Sequence, residues 1–136
     1  MFEDLVADRR AAVSNADICR RLDKELAVEM VNLLAKKLEP IKVLSNFAIK
    51  PSIGAIKVEF DQATVRGDKA YVTIDFSHRS PEQVSIKVGL NHGQPYSGYP
   101  PAAMTFNTAE KTPEEMLDSS LNRRRADFAA LLRNWE

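Results

Sequence analysis

The 136 residues predict a two-layer α+β fold: N-terminal helices, an antiparallel meander sheet of three or four strands, a long loop and a C-terminal helix. Two observations carry this. Apolar residues recur at spacings of three and four near both ends of the chain, whereas in residues 53–90 they alternate with polar ones. Alternation means strands with one apolar face, so the helices are expected to cover that face and leave the other open. One domain spanning residues 1–136 is the expected organisation, a length that supports a core without disulfides or metals.

Taken in order, residues 2–13 read as a short helix with Phe2, Leu5, Val6 and Val13 as apolar positions. Ser14 and Asp17 then fit a capping box that opens a second helix. Its stripe is Ile18, Leu22, Leu26, Met30, Leu33 and Leu34, and Pro40 stops it. Residues 41–49 read as an early strand through Val43, Phe47 and Ile49, ended by Pro51. Ile53, Ile56, Val58 and Phe60 form the next apolar strand face, followed by Val72, Ile74 and Phe76, then Val84, Ile86, Val88 and Leu90.

Gly67-Asp68 suits a two-residue type II′ turn, pairing Val65 with Ala70 and Ala63 with Val72. Continued unchanged, that register would set Phe60 against Asp75. A bulge near Asp61-Gln62 moves Phe60 opposite Ile74 and Glu59 opposite Asp75, keeping apolar side chains on one face. The second hairpin, through His78 to Glu82, needs no bulge and pairs Thr73 with Lys87. Residues 91–111 are rich in proline and glycine and read as a long irregular loop. Thr112-Pro113-Glu114-Glu115 opens the last helix with a cap, a first-turn proline and a capping-box glutamate together. Leu117, Leu121, Phe128, Leu131 and Trp135 form its stripe.

Charge narrows the function classes. Nineteen basic and nineteen acidic residues give no net charge, and neither sign gathers strongly in one part of the chain. Nucleic-acid binders draw most of their affinity from a basic excess, so this class is disfavoured. Its candidate is the run Arg123, Arg124 and Arg125, a phosphate or carboxylate clamp. Arg124 lies on the helix's apolar stripe, where pairing with Asp127 or Asp118 is the simpler expectation. Arg66-Gly67-Asp68 matches an adhesion tripeptide, but the hairpin turn accounts for it.

An enzyme or cation site would draw on Glu59, Asp61 and Asp75, grouped on the open face by the register above. His78 and His92 lack any metal-ligand or catalytic spacing, and Cys19 sits beside a helix stripe. No catalytic residue, metal or cofactor is expected. The order helix, three strands, helix is similar to that of the double-stranded-RNA-binding domain. That family opens its second helix with a basic cluster directly after the third strand, whereas Pro113-Glu114-Glu115 stands here, so no residue role carries over.

The functional expectation is a non-enzymatic binding or regulatory protein. Its contacts would come from an aromatic loop, Tyr96, Tyr99, Met104 and Phe106, beside the open sheet face. The partner is another protein, or a second copy meeting through the N-terminal helix or a strand edge. No signal peptide or membrane span is recognisable, and the cytoplasm is the expected compartment.

Overall fold

The computed structural model describes residues 2–93, 102–133 and 135. Helix α1 (Glu3–Lys37) leads through a short 3-10 helix, Glu39–Val43, into five strands. These are β1 (Phe47–Ser52), β2 (Ala55–Ala63), β3 (Lys69–Ser80), β4 (Gln83–Asn91) and β5 (Met104–Asn107), followed by α2 (Pro113–Arg123) and α3 (Arg125–Leu132). The strands lie in chain order, each antiparallel to its neighbour.

Alternation sets the two layers. Ile56, Val58 and Phe60 on β2, Val72, Ile74 and Phe76 on β3, and Val84, Ile86, Val88 and Leu90 on β4 are all buried. Against this face pack Leu26, Met30, Leu34 and Leu38 from the α1 end, Met116 and Leu117 from α2, and Leu131 beyond them. The opposite face carries the charged and hydroxyl side chains. The expected one-sided sheet is what forms.

Several details differ from the sequence reading. The break at Ser14 is absent, and α1 runs unbroken for 35 residues. No glycine or proline interrupts it, and a serine inside a helix costs only a few tenths of a kcal/mol relative to alanine, by order of magnitude. Once the second half is packed, adding turns needs no new nucleus, so the first half follows. Residues 39–43 form a 3-10 helix rather than a strand, with Val43 facing solvent. Pro51 lies within β1 instead of ending it, which an edge strand tolerates because one row of its N–H groups has no partner strand. Ile53 falls in the β1–β2 turn and is 95% exposed.

The first hairpin turns differently. Thr64 N–H donates to Asp68 O, and Gly67 N–H donates to Thr64 O, both at 2.9 Å. Val65, Arg66 and Gly67 thus form a three-residue loop with Gly67 last, at φ +85°, a left-handed position suited to glycine. The Thr64 hydroxyl, hydrogen-bonded to Asp68 and accepting from Arg66 N–H, favours this turn over the two-residue one. A register shift does occur between Glu59 and Ala63, where the alternation predicts a bulge. Its partners are others: Glu59 faces Tyr71, Ile56 faces Ile74 and Asp75 faces Ala55. The second hairpin also slips, between His78 and Ser80, so Lys87 stands opposite Asp75 and Thr73 opposite Gly89.

Within 91–111, Met104–Asn107 pairs with Gln83–Ile86 as β5. The short alternation of Met104, Thr105, Phe106 and Asn107 was hidden among turn-forming residues. The free edge of β4 recruits it, and the pairing buries Phe106.

The capping box at Thr112 forms in full. Glu115 N–H donates to Thr112 Oγ1 at 3.2 Å, and Thr112 N–H donates to Glu115 Oε1 at 3.1 Å. The C-terminal helix breaks at Arg124 (φ −102°, ψ 15°), whose N–H donates to Leu121 O. Beyond the break, α3 brings Trp135 onto the sheet. Its indole N–H donates to Ala63 O at 3.0 Å, and its ring lies 5.0 Å from that of Phe60.

Gly93, at φ +80°, is where the chain leaves the sheet, and a Cβ there would lie 2.7 Å from Thr64 Oγ1. Gly93→Ala is therefore expected to destabilise the fold by roughly 1–3 kcal/mol, combining backbone strain with the clash. A denaturant titration measures this as a lowered midpoint with unchanged slope.

Candidate functional site

The open sheet face does not assemble the carboxylates. Glu59 and Asp75 stand four positions apart along β3, since Glu59 pairs with Tyr71. Instead, Glu59 collects lysines from three strands or their ends: Lys50 Nζ at 2.6 Å, Lys57 at 3.5 Å and Lys69 at 3.5 Å. The Lys50 hydrogen bond, reinforced by the other two charges, lowers its pKa to about 2 against an ordinary value of 4.5. Lys57 also lies over the Tyr71 ring, 4.5 Å from its centre. A carboxylate held ionised by three ammonium groups is a poor proton acceptor at neutral pH. Asp61 is exposed and Asp75 faces Lys87. Among the described residues no three histidine, cysteine or acidic side chains gather as a metal site.

Both histidine side chains are buried against helix carboxylates. His78 Nδ1 lies 2.6 Å from Asp23 Oδ1, and the same oxygen accepts from His78 N–H at 2.8 Å. This joins α1 to the end of β3. His92 Nε2 lies 3.3 Å from Asp127 Oδ1. Both pairings are long-range, so local spacing carried no sign of them. Each pair lies within packed structure and acts as a tie between layers.

The arginine run divides. Arg124 tucks inward and pairs with Asp127 at 3.0 Å, as its place on the stripe predicts, while Arg123 and Arg125 are exposed. Arg125 rims a groove of about 650 Å³ between the end of α1 and α2–α3, floored by Leu38, Ile41, Leu121, Phe128 and Leu132. Lys37, at its edge, is ion-paired to Asp118 at 2.6 Å and Glu114 at 3.1 Å. This is an apolar surface depression with charges only at its margin.

Of the aromatic-loop candidates, Tyr96 and Tyr99 lie outside the described residues. Met104 is half-buried and Phe106 belongs to the core, so truncating Phe106 would read out folding before contact.

The surface that stands out is the first half of α1. Every residue from Phe2 to Asp17 is exposed, although the helix continues unbroken into the core. Phe2 is 66% exposed, Leu5 61%, Val6 49% and Val13 43%. The segment extends about 22 Å past the packed part of the helix, at about 1.5 Å per residue. The sequence supplied these apolar positions but not their exposure. The available signal was their thinness, four large apolar residues in the first half against a broad stripe in the second. Among the described residues, no helix is long and apolar enough to cross a membrane.

No family model matches the chain, and no curated protein or solved structure matches it.

The lysine cluster makes a direct pH prediction. Glu59 should titrate with a midpoint near 2 in the folded chain, and Lys50→Ala should raise that midpoint toward 4.5. Because the folded value lies below the unfolded one, its stabilising contribution is present above pH 4.5 and lost as pH falls toward 2. Carboxyl NMR shifts followed across this range, with and without Lys50, measure it.

Proposed function

We infer that this chain is a non-enzymatic binding or regulatory protein that acts through protein–protein contacts. The observation that carries the reading is the exposed half of α1: a folded helix showing Phe2, Leu5, Val6 and Val13 to solvent. Grouped exposed apolar side chains mark interaction surfaces more often than isolated ones do. A helix is also an effective way to present them, since an amphipathic helix offers anchors at regular spacing to a groove or another helix.

The arrangement of the polar groups supports the same reading. The carboxylates expected to serve acid–base or cation chemistry are dispersed, and the most perturbed of them is neutralised by lysines. Arg124, the middle member of the basic run, is engaged with Asp127. The open sheet face mixes both charge signs around Tyr71 and offers a second, polar contact surface.

A photo-crosslinking residue placed at Val13 in the intact protein tests the reading in its native setting. The control carries the same residue at Val43, which is exposed elsewhere on the fold. The expected outcome is a discrete protein adduct from position 13, either with another protein or at twice the chain mass, and none from position 43. Absence of any protein adduct at position 13 overturns the assignment.

A further inference from the structure

Helix α1 carries a charge pattern, running from its exposed half into the packed one, that complements itself. Glu3, Arg10, Asp17 and Lys24 recur every seven residues and alternate in sign. A seven-residue spacing keeps side chains on one flank of a helix that pairs with another. All four are exposed. Turned around and laid against itself, the series reads as its own opposite. Glu3 meets Lys24 of the second copy, Arg10 meets Asp17, and the two reciprocal pairs follow by symmetry.

Of the four exposed apolar residues, Phe2 and Val13 meet small apolar partners in this register. Its central layers set Val13 against Ala16 of the second copy and Phe2 against Ala27. Ala27 lines a groove of about 430 Å³ between α1 and the β1–β2 turn, walled by Pro51, Ile53 and Gly54. An incoming Phe2 ring would enter that groove beside Ile53, the most exposed large apolar side chain among the described residues. Val6 falls against Asp23, whose carboxylate is turned toward His78. The like-charged layer sets Arg9 against Arg20, and Asp17, ion-paired to Arg20 within the chain, is shared between Arg20 and Arg10 of the second copy.

We propose that the occupant of this surface is a second copy of the chain, its α1 antiparallel to the first about a two-fold axis near Ser14. The proposal rests on the contact reading above and names its partner. An isologous contact of this kind closes at two copies. Its flanking ion pairs give register and partner choice, and they weaken as salt rises.

Two charge reversals in the full-length protein test it by sedimentation. Arg10→Glu sets a carboxylate against Asp17 twice in each dimer, and Asp17→Arg sets a guanidinium against Arg10 twice. Each variant alone should associate about tenfold more weakly than the parent, or less still. Mixed in equal amounts, the two are complementary at both positions, and the mixture should regain parental association as a heterodimer. Both sites are exposed, and circular dichroism checks that each variant keeps its helix content.

A parent chain that remains monomeric at about 100 µM overturns the proposal. So does a dimer indifferent to both reversals, or a mixture that fails to recover. A monomeric parent whose Val13 crosslinker still captures a different protein overturns self-pairing and leaves the contact reading standing. Absence of both overturns both.

Discussion

The fold depends on one contact: the second half of α1 lying on the apolar face of the sheet. Leu26, Met30, Leu34 and Leu38 present a ridge at helical spacing, and beneath it Ile56, Val58, Val72 and Ile74 present the matching surface. Burying side chains of this size stabilises by roughly 1.5–3 kcal/mol each, so no disulfide or metal is needed to hold the layers. The Asp23–His78 pair fixes where the helix crosses the end of β3, and Lys37 with Asp118 and Glu114 fixes where α2 meets it. The polar contacts position what the apolar contact holds. Past Ile18 toward the amino end the floor runs out, and the helix continues into solvent.

How much of this was legible depended on the range of the interaction responsible. Alternation in residues 53–90 revealed the strands and their buried face, because a side chain's direction along a strand is a local property. Thr112-Pro113-Glu114-Glu115 marked the start of α2 for the same reason. Registers were less accessible. They depend on whether a turn holds two residues or three, and the Thr64 hydroxyl settled that through contacts with Asp68 and Arg66. The changed registers of the two hairpins scattered the expected carboxylate group and gathered three lysines round Glu59. The fifth strand was invisible for a related reason, since four residues gain strand character only beside the free edge of β4. The break at Arg124 likewise accompanies the docking of Trp135 on β2, a contact remote in sequence.

The candidate surface was half legible. Phe2, Leu5, Val6 and Val13 could be recognised as one helix face from their spacing. Whether anything covers such a face depends on the length of the helix relative to the sheet. A capping signal at Ser14 suggested two shorter helices, each able to lie on the core. The continuous helix converts the same residues from core into display.

The outer strand β1 shapes what kinds of assembly are open to the molecule. Pro51 offers no backbone hydrogen-bond donor, so a stranger's strand gains less by adding there. At the other margin β5 spans four residues and pairs with Gln83–Ile86 of β4. With β1 a poor template, the greasy residues on the projecting rod favour association of helix against helix over strand against strand.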